Sequence, residues 1–150
     1  MRPLVGTAGL VVGALLVAGC SESPDDVRAD YCATVEERQS ALSDRLGDRS
    51  ATALLEAQPI FRDLAAAAPS EVADEWQVLI DALQGLDAAL ADARVDPATY
   101  DPKRPPADLT REQRGTIERA AAELLNPETQ EAVEAVDQQA RDVCKTPLFQ

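Results

Sequence analysis

Three cysteines, Cys20, Cys32 and Cys144, carry the most distinctive chemistry in this 150-residue chain. A thiol can be acylated, oxidised to a disulfide or deprotonated to hold a metal. No C-x-x-C pair is present, so neither a redox-active dithiol nor a zinc site has support. The chain contains no histidine, which removes the commonest general base and the commonest zinc ligand together. Carboxylates are plentiful, with adjacent pairs at Asp25-Asp26, Glu36-Glu37 and Asp74-Glu75. Acid–base catalysis by such a pair needs one member desolvated and its pKa raised. Helical phasing instead places these pairs on wet faces. No G-x-S-x-G, P-loop, G-x-G-x-x-G or EF-hand pattern occurs. We therefore assign no catalytic residue and no metal ligand, and do not expect an enzyme. The remaining chemical oddity is Tyr100 with the adjacent cations Lys103 and Arg104, a basic spot on an acidic chain.

Cys20 is explained by what precedes it. Met1-Arg2 is a short cationic start, and residues 3–18 are almost wholly apolar and uncharged, the plan of an export signal. A bilayer span needs about 20 apolar residues. This run is shorter and is diluted by Gly6, Gly9 and Gly13, which makes a transmembrane helix the weaker reading. The run ends in Val17-Ala18-Gly19-Cys20 and gives way at once to Ser21-Glu22-Ser23. That tetrapeptide resembles the lipobox of bacterial lipoproteins: an aliphatic residue, two small residues and a cysteine. An ordinary secretory cleavage site is the alternative. The resemblance implies cleavage between Gly19 and Cys20. It also implies a thioether-linked diacylglycerol on Cys20, with an N-acyl chain on its new amino group. No other cofactor is implied. Each acyl chain contributes about 0.8 kcal/mol per buried methylene, and two chains hold a protein durably where one holds it marginally. The chain as a whole is similar in style to small actinobacterial lipoproteins, with "ADYC" after the lipobox and a second cysteine near the end of an alanine- and aspartate-rich domain. The implied location is the extracytoplasmic face of the cell membrane, reached through the lipid anchor.

The expected organisation is a signal peptide at 1–19, a lipidated terminus and short tether at 20–25, and one domain at 26–150. Cleavage removes Arg2 alone among charged side chains, taking the formal net charge from −13 to −14. Such acidity argues against nucleic acid, whose binding depends on neutralising phosphates, and against lying flat on anionic lipid. It also serves plain solubility. An exported chain meets oxidising surroundings, where the even pair Cys32 and Cys144 is expected to form a disulfide; two buried thiols are the alternative.

The elements that must position these groups read as helices. Val72, Trp76, Leu79, Leu83, Leu86 and Leu90 recur at steps of three and four, predicting a helix over about 71–93 with Ser70 as its N-cap. Tyr31, Val35, Leu42 and Leu46 predict another over about 26–46, ended by Gly47. Its stripe lapses at Arg38 and Gln39, read as side chains snorkelling past the core edge, with a polar cavity lined by them as the alternative. Leu54, Phe61, Leu64 and Ala68 mark a third, which Pro59 should kink or split. Thr110 with Gln113 makes a capping box for a fourth, bearing Ile117, Ala121 and Leu124. Asn126-Pro127 starts a fifth, with Val133, Val136, Ala140 and Val143 as its stripe. No stretch alternates with period two. The predicted fold is all-α, an antiparallel bundle of four to five helices stapled by one disulfide. Residues 94–109, "RVDPATYDPKRPPADL", hold four prolines and are read as a loop. This loop is either a partner-contact strap or a stiff crossover pinned by Tyr100. Two functions fit the pattern: a membrane-anchored interaction or structural module for a protein or cell-wall partner, and a carrier for a small apolar or lipid ligand. Packing separates them, since a carrier needs a large apolar cavity.

Overall fold

Apolar side chains at helical spacing on five stretches require a helix-on-helix core, and the computed structural model has one. It describes residues 23–47 and 52–149. The lipobox residues Gly19 and Cys20 lie outside them. Among the described residues there are six α-helices and no strand: α1 Pro24–Gly47, α2 Ala53–Glu56, α3 Gln58–Ala67, α4 Ala73–Asp92, α5 Arg111–Glu123 and α6 Pro127–Gln139. The count exceeds the expected five because the third stretch splits at Ala57, with Pro59 in the first turn of α3, where its missing N–H costs nothing. Among the described residues no helix is long and apolar enough to cross a membrane.

Pairings between elements set the direction of each helix. Arg28, Arg38 and Arg45 along α1 pair with Glu71, Asp63 and Glu56 at 3.3, 3.3 and 3.4 Å. Partner numbers fall as the arginine numbers rise, so α1 runs antiparallel to α2–α3. The connection from α3 to α4 is short, and α4 returns parallel to α1. Grooves beside α4 join Asp74 with Glu131 near its start and Asp81 with Glu123 further along. Thus α5 and α6 descend one after the other, antiparallel to α4. The bundle is built around α4, whose Trp76 and Leu83 are fully buried.

Local chemistry explains most boundaries. Ser23 caps α1: its hydroxyl accepts from the Asp26 N–H at 3.2 Å and donates to the Asp26 carboxylate at 2.7 Å. With Pro24 in the first turn, the helix begins two residues before the expected Asp26, and the tether is shorter by as much. The Thr110 capping box forms as predicted, with bonds of 3.1 and 3.0 Å to Gln113. Asn126 caps α6 through the Thr129 N–H at 2.7 Å. Ser70 does not cap α4. Pro69 leads into a 3-10 turn, Ser70–Val72, before α4 proper begins. The end of α4 is a Schellman turn, with Val95 N–H bonded to the Leu90 carbonyl and Arg94 in the left-handed region at φ 59°.

Two stripes needed correction. Leu54 was expected inside but is 40 % exposed, and Ala53 and Ala57 are buried instead. The break at Ala57 rotates α2 relative to α3, so one continuous helical phase does not apply across it. Val143 was expected on the last stripe but is 41 % exposed. The helix after α6 widens into a π turn, Ala140–Cys144, closed by the Lys145 N–H on the Ala140 carbonyl. That turn delivers Cys144, not Val143, to the inner face.

The buried residues fall into two clusters. The larger joins Tyr31, Phe61, Leu64, Trp76, Leu83 and Val136 with residues from the end of the chain. The smaller is Ala89, Leu90, Leu109 and Ile117, where the end of α4 meets α5.

Candidate functional site

Cys32 and Cys144 form the expected disulfide, with Cα atoms 5.0 Å apart. Cys32 lies in the third turn of α1 and Cys144 ends the π turn, so the bridge ties the first helix to the tail of the last. Beside it sits a polar group inside the core. Tyr31 and Trp76 are fully buried; the Trp76 indole N–H lies against the Tyr31 hydroxyl, but among the described residues neither group meets a partner at full hydrogen-bond geometry. Burial raises the Tyr31 phenol above its ordinary value, and the neighbouring Trp76 offsets part of that rise. Groups satisfied this poorly weaken a core, because removal from water is only partly compensated. Arg38, at the lapse in the α1 stripe, runs along the core edge. It reaches Asp63 at 3.3 Å with its Nε buried, the snorkelling arrangement expected of it.

The proline-rich segment sits at the other end. It folds as a 3-10 turn, Pro97–Thr99, capped by Asp96 and followed by tight turns. Tyr100 is half-buried and packs on the smaller cluster. Burial raises its phenol, as do the Glu118 and Asp101 carboxylates beside it. Tyr100 therefore pins the crossover to the bundle. Asp101 organises the two cations: it accepts from Arg104 Nε at 2.9 Å and from the Lys103 backbone N–H at 2.9 Å. These bonds hold its carboxyl below the usual range. Lys103 and Arg104 are both exposed. The structure thus brings Tyr100, Lys103 and Arg104 onto one ordered loop and sets them far from the disulfide. Helix α4, which runs from the end bearing Trp76 to the start of this loop, spans 20 residues, about 30 Å at 1.5 Å per residue.

Charge follows the same division. Residues 94–119 hold six cations and five anions; elsewhere from residue 20 onward, seven cations face 22 anions. The acidity concentrates beside α4, where Asp74, Glu75, Glu128 and Glu131 line a groove of about 310 Å³. All are solvent-accessible. Among the described residues no group of three or more His, Cys, Asp or Glu is arranged to hold a metal.

A cleft of about 170 Å³ is lined by Leu46, Leu54, Phe61, Leu79, Leu124, Val133 and Phe149, with Thr129 and Gln130 among them. Two donors at its edge are engaged: the Thr129 N–H donates to Asn126 Oδ1 and Gln130 Nε2 to the Leu124 carbonyl. Phe149 forms its outer wall. After Lys145, left-handed at φ 59°, the backbone reverses and lays Leu148 into the main core. Asp137 Oδ1 accepts the N–H groups of Leu148 and Phe149 at 2.8 and 3.2 Å, while its other oxygen pairs with Arg141. Asp137 is 8 % exposed. The signal for this clasp was an acidic residue on the inner face of a helix followed by a Leu-Phe pair a few turns on, too common a pattern to single out. Comparison of the chain with protein-family models, with curated proteins and with solved structures finds no match.

Proposed function

We propose that the chain is a lipoprotein of the extracytoplasmic membrane face, anchored by diacylglycerol on Cys20, whose far end engages a protein or cell-wall partner. The observation that carries this reading is the opposition of two ends. Helix α1 begins four residues after Cys20, and the Tyr100–Arg104 loop lies one bundle length away. A tether of about four residues reaches about 13 Å, so the loop would stand clear of the bilayer. The acidic flanks would repel an anionic lipid surface and favour that upright pose. Between the ends the interior is packed, which suits a spacer that presents a surface.

Photo-crosslinking residues placed at Tyr100 and Lys103 in intact cells test the reading. The expected result is a discrete protein or glycan adduct, lost when Cys20→Ala releases or mislocalises the chain. Adducts at neither position, with the chain correctly anchored, would overturn it. A second reading, a binding protein for a small apolar ligand, is favoured by the cleft beside Phe149. Its volume falls below the roughly 300–1,000 Å³ of drug-sized ligand sites, so the occupant would be a small ring or a short branched chain.

A further inference from the structure

We infer that the groove between α4 and α6 is a docking surface for a basic amphipathic helix of a partner protein. It lies on the flank of the bundle, apart from the Tyr100–Arg104 loop, and does not depend on the lipid anchor. Two hollows, of about 310 and 330 Å³, share Val78 and Glu128 and so run into one another. Their floor is apolar, made by Val78 and Ala82 of α4 and by Ala132 and Ala135 of α6. Side chains this small let a third backbone come close. An apolar floor flanked by two helices is the shape into which an amphipathic helix lays its apolar strip.

Charge complementarity identifies the occupant. Asp74, Glu75 and Asp81 line one rim, and Glu123, Glu128 and Glu131 the other. No ion pair among the described residues uses any of the six. Asp81 and Glu123 accept from the neutral amides of Gln77 and Asn126, at 2.7 Å each, which leaves their charge uncompensated. A single metal ion does not match, because among the described residues no three carboxylates converge. A polyamine does not match either. Packed helix axes stand about 8–10 Å apart, so one narrow chain lying along the groove reaches one rim at a time. A helix about 10–12 Å across reaches both, with its apolar strip on the floor and Lys or Arg along each side. Asp74 and Asp81 lie two turns apart on α4, the interval at which flanking cations recur along a heptad-patterned helix.

The test uses the full chain in nanodiscs of zwitterionic lipid, with empty discs as the blank. The probe is a fluorescein-labelled peptide, three repeats of Leu-Gln-Gln-Ala-Lys-Gln-Lys, which sets lysines on both sides of an apolar strip; binding is read by anisotropy. Wild type should bind it, less tightly as salt rises. A peptide of the same composition with its lysines moved away from the strip should bind about tenfold more weakly. Asp74→Asn, Asp81→Asn, Glu128→Gln and Glu131→Gln together should weaken binding of the first peptide about tenfold, through the loss of four exposed ion pairs. That variant sheds like-charge repulsion and should melt no lower than wild type, which separates lost binding from lost fold. Asp30→Asn, Glu36→Gln, Asp44→Asn and Asp142→Asn remove the same charge elsewhere and should leave affinity within about twofold. No binding by wild type, equal affinity for the two peptides, or equal weakening by the two sets of substitutions would overturn the docking surface. Displacement of the peptide by an equimolar amount of spermine would overturn the helical occupant.

Discussion

The two ends of α4 are held by different means. At its start, Trp76 is buried among α1, α3 and α6, and the Cys32–Cys144 bridge locks the first helix to the tail of the last. At its end, Leu90 and Ala89 meet only Leu109, Ile117 and their half-buried neighbours, with no covalent tie. The stapled end buries polar groups in its core, the Tyr31 hydroxyl and the Trp76 indole N–H; the buried side chains of the far end, Ala89, Leu90, Leu109 and Ile117, are all apolar. A covalent constraint thus lets one end tolerate a polar interior, while the other depends on a few apolar contacts and well-formed caps. The far end also bears the ordered basic loop.

Breaking the staple should cost most. The bridge closes a separation of 112 residues, worth about 4–5 kcal/mol in the chain-entropy model. Cys32→Ala with Cys144→Ala should lower stability by that order in urea melts, and reduction of the wild type should match it. Next is Ile117→Ala, expected to cost about 2–5 kcal/mol. Its hydrogen-exchange signature should be faster exchange in α5 and residues 94–109, with the amides around Trp76 slowed as in wild type. Uniform acceleration would merge the two ends into one unit.

Tyr31→Phe should stabilise, by at most about 1–2 kcal/mol, because the cost of burying the hydroxyl outweighs its imperfect contact with the Trp76 indole N–H. The same residue sets an alkaline limit. Burial raises the folded phenol above the unfolded value near 10. Above that pH the unfolded chain releases the proton first, so stability is full below it and falls as pH climbs toward the folded value. Tyr31→Phe should flatten that fall in pH-dependent melts. The smallest effect is Thr110→Ala, about 1 kcal/mol from loss of the α5 cap. It should loosen the far end alone, by the same exchange measurement.

Much of this architecture was legible in residue order. Trp76, Leu79, Leu83 and Leu90 repeat at helical spacing, and Thr110–Gln113 and Asn126–Pro127 announce their helix starts, because capping is local chemistry. What escaped depended on partners distant in sequence or on small backbone departures. Leu54 faced outward because the break at Ala57 reset the helical phase. Val143 did so because a π turn added a residue where the stripe assumed none. Ser70 lost its cap to the 3-10 turn that Pro69 introduces. The site was less legible still. Cys32 and Cys144 were readable as a pair, and Tyr100 as a pin. The cleft was not, because its walls come from α1, α2, α3, α4, α6 and the chain end, which periodicity cannot bring together.

The central claim is that the chain is tethered at one end and presents the other away from the membrane. Depth-dependent quenching of a fluorophore placed at Asp30 or at Lys103, on the lipidated chain in bilayers, measures this directly. The account predicts that Lys103 stands farther from the headgroups than Asp30 by about 30 Å, the length of α4 at 1.5 Å per residue. Equal depths, or Lys103 nearer the lipid, would contradict it.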